Sequence, residues 1–216
     1  MTTLRTTLSA IRKELQRKYQ IRENAQKDAR QATSLSKQAI LMVHQKRLKE
    51  AENLIVRAKE TLGGLWKTSE TYPEIIYTGM FSAALQEYSE ANIFLTLVKE
   101  CRFLTPDEIN VPSAEYVLGL ADVIGECRRL ALDELREGKV EKAENSLQLM
   151  DEIYTELMGL DESYMLVRDL RRKNDVARRI IEATRGDVTQ EIRRSMLEKQ
   201  LTRLEKRIAP KKTKKT

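Results

Sequence analysis

Apolar residues recur along this chain at steps of three and four, the spacing that gathers side chains on one face of an α-helix. Between Thr3 and His44 there is neither Pro nor Gly, and Leu4, Leu8, Ile11, Leu15 and Tyr19 mark one stripe. Ala25, Ala29 and Ala32 carry the period onward with smaller side chains, so the pattern predicts one long amphipathic helix. A helix of that length suits packing against a partner subunit as well as against its own chain. Helical spacing resumes at Leu48 and runs to Leu62, where Gly63-Gly64 supplies a C-terminal stop. Further helices are expected over 73–103, 113–137, 139–158, 164–185 and 187–208, punctuated by Pro73, Pro112, Gly138, Gly159 and Gly186. The last of these shows Ile192, Met196, Leu201, Leu204 and Ile208 on one side. Thr105-Pro106-Asp107-Glu108 reads as a short capped turn, with Thr as the cap and Pro at the first helical position. The expectation is an all-α, single-domain antiparallel bundle of about seven helices over residues 1–208. The closing Ala209-Pro-Lys-Lys-Thr-Lys-Lys-Thr216 has nothing to bury and reads as a disordered basic tail.

Composition agrees with the helical reading, since 33% of the 216 residues are charged and only 8 are Gly and 4 Pro. The balance of 39 basic against 33 acidic residues leaves +6 at neutral pH, and its distribution says more than its size. Arg5, Arg12, Lys13, Arg17, Lys18, Arg22, Lys27 and Arg30 crowd the first thirty residues against three acids. Clustered positive charge attracts polyanions, nucleic acid among them, although solvated lysines give the same pattern. Two cysteines, Cys101 and Cys127, make neither a disulfide framework nor a zinc site, so free buried thiols in a reducing compartment are expected. No apolar leader and no run of 18 apolar residues occur, so the expected setting is cytoplasmic, away from membranes.

The stretch from Phe81 to Cys101 holds the chemistry. Ala83, Glu87, Glu90, Phe94, Leu97 and Cys101 fall on one helical face, which puts two carboxylates on an otherwise apolar stripe. An ionised carboxylate leaves water only at high cost, so each needs a cation, a donor network or a raised pKa. The next long helix repeats the pattern with Leu118, Asp122, Gly125, Glu126 and Arg129. Gly119 and Gly125 each cost about 1 kcal/mol inside a helix, which points to close approach of another backbone or a ligand. Adjacent antiparallel helices would bring Glu87, Glu90, Asp122 and Glu126 together. Two readings stay open: ion pairs with an arginine such as Arg128 or Arg129, or a divalent cation held by oxygen. The sole histidine, His44, has Leu41 and not Glu three residues before it, which excludes the Glu-x-x-His pairs of di-iron bundles. Oxygen-only donors favour Mg²⁺, or Mn²⁺, over zinc or copper, and phosphodiester hydrolysis is the reaction that such an ion beside basic surface serves.

At these same residues the chain resembles the translin family, and within it the branch of translin-associated factor X (Trax). The resemblance rests on Leu85-Gln-Glu-Tyr-Ser-Glu-Ala91, Asp107-Glu-Ile-Asn110, Glu115-Tyr-Val-Leu-Gly-Leu-Ala-Asp122, and Gly125-Glu126 with Arg129. A weaker match runs from Leu170-Arg-Arg-Lys-Asn-Asp through Arg185-Gly186. The resemblance implies a helical fold, assembly into a hollow homo-oligomer (octameric in the family) and Mg²⁺-dependent endoribonuclease activity on RNA with single-stranded regions. It puts the catalytic and metal-holding acids at Glu87, Glu90 and Asp122, with Glu126 as a further acid. Among the basic residues, Arg129 either neutralises phosphate near the metal or pairs with Glu126, and Arg171, Arg172 and Lys173 either contact the nucleic-acid backbone or form a solvated helix face. The alternative is a non-catalytic, translin-like protein that binds single-stranded nucleic acid, with DNA not distinguished from RNA because nothing here reads a 2′-hydroxyl. The family's basic stretch ahead of the first motif is replaced by Tyr77-Thr-Gly-Met-Phe81, and Asn110-Val-Pro-Ser113 joins the motif helices directly, as suits a compact prokaryotic or archaeal type.

Overall fold

The computed structural model describes residues 3–76 and 79–208, so the basic tail over 209–216 and Tyr77-Thr78 lie outside the described residues. Eight α-helices are found among them: α1 (Leu4–His44), α2 (Leu48–Thr71), α3 (Pro73–Ile76), α4 (Gly79–Glu100), α5 (Pro106–Ile109), α6 (Ser113–Arg136), α7 (Val140–Met158) and α8 (Leu170–Ile208). A 3-10 turn at Asp161–Met165 precedes α8, and no strand occurs among the described residues. The all-α expectation holds. None of these helices is long and apolar enough to cross a membrane.

Helix boundaries differ from the sequence reading at two glycines and at two further places: the helix expected from Tyr164 starts at Leu170, behind the 3-10 turn, and the one expected over 73–103 is found as α3 and α4, ending at Glu100. α2 runs through Gly63-Gly64 to Thr71 because its buried stripe of Ala51, Ile55, Ala58, Leu62, Leu65 and Ser69 continues past them. α8 likewise runs through Gly186, with Leu170, Asn174, Ala177, Ile181, Thr184 and Val188 buried at alternating steps of four and three. Packing of a continuous apolar stripe outweighs the roughly 1 kcal/mol that each glycine costs. Elsewhere the local signals act as read. Thr105 and Glu108 form a reciprocal capping box around Pro106, and Asn110 closes α5 in the left-handed region at φ 54°.

Contacts divide the chain into two compact units. Unit 1 comprises Met1–Val123 with Asp161–Lys173. Its α1 packs on α2, α3 and α4. Small residues of α1 (Ala29, Ala32, Ser36, Ala39) are almost fully buried, which lets helix axes come close. α4 is buried on most of its circumference, through Leu85, Tyr88, Ser89, Ala91, Ile93, Phe94 and Leu95 among others. The single stripe drawn from the sequence is therefore incomplete: Glu90, Phe94 and Leu97 are buried, but Ala83 is exposed. Cys101 is exposed too, beyond the helix end at φ 53°, so only one of the two thiols meets the expectation of burial. The first half of α6 is pinned by Tyr116, whose hydroxyl donates to the Leu104 carbonyl at 2.6 Å, and by Ser82, whose hydroxyl donates to Glu115 at 2.7 Å.

Gly119 marks the tightest approach in unit 1. A Cβ at that position would lie 2.7 Å from the Gln86 carbonyl oxygen, 2.7 Å from Ser89 Cβ and 2.9 Å from the Glu90 nitrogen. No side chain fits there, and the third residue after it, Asp122, is thereby carried to the level of Gln86. At Gly125 no other backbone comes close, since a Cβ there meets nothing within 4 Å.

Unit 2 comprises Ile124–Leu160 with Asn174–Thr216. Its buried residues include Ile124, Cys127 and Ala131 of α6, Leu147, Met150 and Ile153 of α7, and Ala177, Ile181 and Thr184 of α8. The Arg128 guanidinium donates to the Ile180 carbonyl at 3.0 Å and to the Thr184 hydroxyl at 2.6 Å. Burial pushes the Cys127 thiol up to about 12, with the nearby Glu126 and Glu134 carboxylates adding to the shift.

Two outcomes follow from these contacts. Gly119→Ala should lower stability by about 1–3 kcal/mol through overpacking, whereas Gly125→Ala should raise it by up to about 1 kcal/mol; denaturant midpoints of the two variants measure the contrast, and a neutral Gly119→Ala would contradict the close approach. With a thiol-specific reagent at pH 8, Cys101 should react at once and Cys127 only on unfolding, because its thiolate is suppressed and its sulfur is sealed from solvent. Stoichiometric labelling of both thiols in the native state would contradict this burial.

Candidate functional site

The approach at Gly119 brings two sequence motifs together within unit 1. Gln86, Glu87 and Glu90 come from α4, and Asp122 comes from α6 one turn beyond the glycine. The Gln86 amide donates to Asp122 Oδ2, and the Lys173 ammonium, from the first turn of α8, donates to Asp122 Oδ1. Lys173 is the more deeply held of that pair, with a side chain 14% exposed against 30% for Asp122. Lys37 from α1 reaches Glu87 Oε1 at 3.1 Å. Here the carboxylate is the sheltered partner, 23% exposed against 62% for the lysine. Glu90 is buried, and its backbone nitrogen lies against Gly119.

Glu87 and Asp122 are thus compensated by lysines and an amide, and not by the arginines that the sequence suggested as partners. Arg128 is committed to the Ile180 carbonyl, the Thr184 hydroxyl and Asp187, the last at 3.7 Å. Arg129 lies 4.0 Å from Glu126, with half of its side chain exposed. Glu126 and Arg129 both belong to the part of α6 in unit 2, whereas Asp122 belongs to unit 1. Of the other three basic residues read as facing nucleic acid, Arg171 and Arg172 are exposed, and Arg172 pairs with Asp169 at 3.2 Å. Lys173 instead turns inward to Asp122.

As donors for a cation, Glu87, Glu90 and Asp122 offer only oxygen, the chemistry of a hard divalent ion. In arrangement, no three His, Cys, Asp or Glu side chains form a group able to hold a metal ion among the described residues. Two of the acids hold a lysine ammonium instead. Lys37 and Gln86 are the site residues that periodicity did not single out. Gln86 lies inside the quoted motif, but Lys37 is fifty positions away on α1, and nothing local to it signals a carboxylate partner.

Comparison with known proteins places the fold and the family. The structure is similar to that of AfC3PO, with a TM-score of 0.77 and 34% identity over 86% of this chain and 96% of that one. It is equally similar to AfC3PO in complex with duplex RNA, at a TM-score of 0.76 and 34% identity over the same shares. The fold is shared with apo-NeC3PO as well, at a TM-score of 0.76 and 24% identity over 85% of this chain and 96% of that one. In sequence, the chain is 34% identical over 136 residues to an uncharacterized protein of Methanocaldococcus jannaschii, a match that spans 62% of this chain and 60% of that protein's length. The profile of the translin family matches residues 20–183, which takes in α4, α6 and both motifs. The chain therefore belongs to the translin family, as a compact, Trax-like member.

Proposed function

We propose that this protein binds RNA and cleaves it as a Mg²⁺-dependent endoribonuclease, with Glu87, Glu90 and Asp122 as the acids of the site. The observation that carries the reading is the seating of Gly119 on the Gln86–Glu90 backbone, which sets acids from two separate motifs on adjoining turns of α4 and α6. Family membership and the likeness to AfC3PO, which is seen bound to duplex RNA, support RNA as the ligand. A chain with net charge +6 favours a polyanion, and it does so in a salt-dependent way.

Glu87, Glu90 and Asp122 would hold the ion, with Mn²⁺ able to replace Mg²⁺. When bound, such an ion activates water and offsets charge on the phosphoryl oxygens and the leaving group. Gln86 fixes the orientation of Asp122 by donating to one of its oxygens. Lys37 and Lys173 neutralise two of the acids in the described state, and each lies where a substrate phosphate could take over as its counter-ion. The expected products carry a 5′-phosphate and a 3′-hydroxyl. Exposed apolar residues support a homo-oligomer, which we take to be octameric as in the family: Leu4, Leu8, Ile11 and Leu15 on α1, and Met196, Leu197, Leu201 and Leu204 on α8.

A second reading, RNA binding without cleavage, draws support from the two lysine pairs and from the lack of a three-acid group among the described residues. Incubation of the protein with a single-stranded RNA in Mg²⁺ or in EDTA separates the two. Asp122→Asn should reduce cleavage by about 100-fold or more, and EDTA should abolish it, while RNA binding persists. Cleavage that survives both treatments ends the metal proposal, and binding without cleavage in either Mg²⁺ or Mn²⁺ establishes the second reading.

A further inference from the structure

A groove of about 610 Å³ opens between α1 and α4 in unit 1, beside the carboxylates. One wall is a single face of α1, where Arg30, Thr33, Ser34 and Lys37 follow at helical spacing. Leu41 of α1 with Met80 and Ala83 of α4 supply the apolar part of the lining. The volume is that of a small-molecule pocket, wide enough for a nucleotide. Its lining residues carry two cations and no acid. Lys37 connects the groove to the site, since it lines the one and pairs with Glu87 of the other. Ala83 does so a second time, one turn of α4 before Glu87.

We propose that this groove is a nucleotide subsite, which seats the stretch of RNA strand adjoining the carboxylates. The proposal rests on the RNA-binding part of the reading above. Arg30 and Lys37 stand two turns apart on α1, about 10 Å along its axis, within the reach of a dinucleotide backbone. They grip phosphates. The hydroxyls of Thr33 and Ser34 lie between them and offer hydrogen bonds to sugar or base edges. Leu41, Met80 and Ala83 give a base an apolar surface to rest on, which is blind to base identity. The subsite therefore favours single-stranded RNA without strong sequence preference, as expected where backbone charge supplies affinity and no fork of donors reads a base edge. An assembly contact with a second copy of the chain is the rival occupant. Arg30 and Lys37 favour the polyanion, Lys37 by exchanging the Glu87 carboxylate for a phosphate.

Fluorescence anisotropy with a labelled single-stranded RNA, in EDTA so that the strand stays intact, tests the subsite. Arg30→Ala should weaken binding about tenfold and lower the slope of log affinity against log salt by about one. Ser34→Trp, which fills the groove without touching a charge, should weaken binding while leaving that slope nearly as it was. Lys59→Ala, an exposed cation of α2 outside the groove, should bind like the parent. If the parent binds RNA and both Arg30→Ala and Ser34→Trp match its affinity and salt slope, the groove is not the subsite. If the parent binds no RNA at all, the RNA reading itself fails and takes the subsite with it. Light scattering of Ser34→Trp closes the remaining route: a drop in molar mass with unchanged RNA affinity per chain assigns the groove to a second copy and overturns the proposal.

Discussion

The close approach of α6 to α4 at Gly119 is the constraint on which the site depends. Helix axes ordinarily stand 8–10 Å apart, a distance set by the side chains between them. Where one helix offers only a hydrogen, it can rest on the other's backbone, and here it rests on the segment that carries both motif glutamates. The cost of a glycine within α6 is offset by that contact. Asp122 then needs no long reach to meet Gln86, and the geometry does not depend on flexible side chains for its coarse register.

The second organising feature is electrostatic. Acids near α4 lie in a setting where an uncompensated charge would be expensive, and each lysine that meets them comes from a different element: Lys37 from α1 and Lys173 from α8. The pair formed by Lys37 is largely in contact with water on the lysine side, so its worth is small, of the order of 1 kcal/mol or less. A partner bound so weakly can be exchanged at little cost. Lys173 is more enclosed, and removing its charge would leave Asp122 with only the Gln86 amide among its described donors.

The fold class was legible because helical periodicity, proline at helix starts and the capping box at Thr105 all act locally. Helix ends at Gly63-Gly64 and Gly186 were not, because burial of a long apolar stripe is a tertiary gain that no local signal reports. The same reason explains α4. A helix enclosed on most sides has no single stripe, so Ala83 and Cys101 were grouped with Phe94 although they face solvent. Within the site, the acids and the helical glycine could be read from one motif each. Their partners could not, since Lys37 and Lys173 are near Glu87 and Asp122 only through the fold. Gly125 looked the same as Gly119 in sequence, and only the neighbouring backbone separates them.

α8 has a mechanical consequence of its own. Its buried face ends at Val188, yet the helix continues to Ile208, an extension of about 30 Å anchored at one end. Such a strut is a lever: a small tilt at its root becomes a displacement of several ångströms at its tip. The apolar residues carried at its far end, Met196, Leu197, Leu201 and Leu204, are therefore held in place chiefly by the stiffness of the backbone.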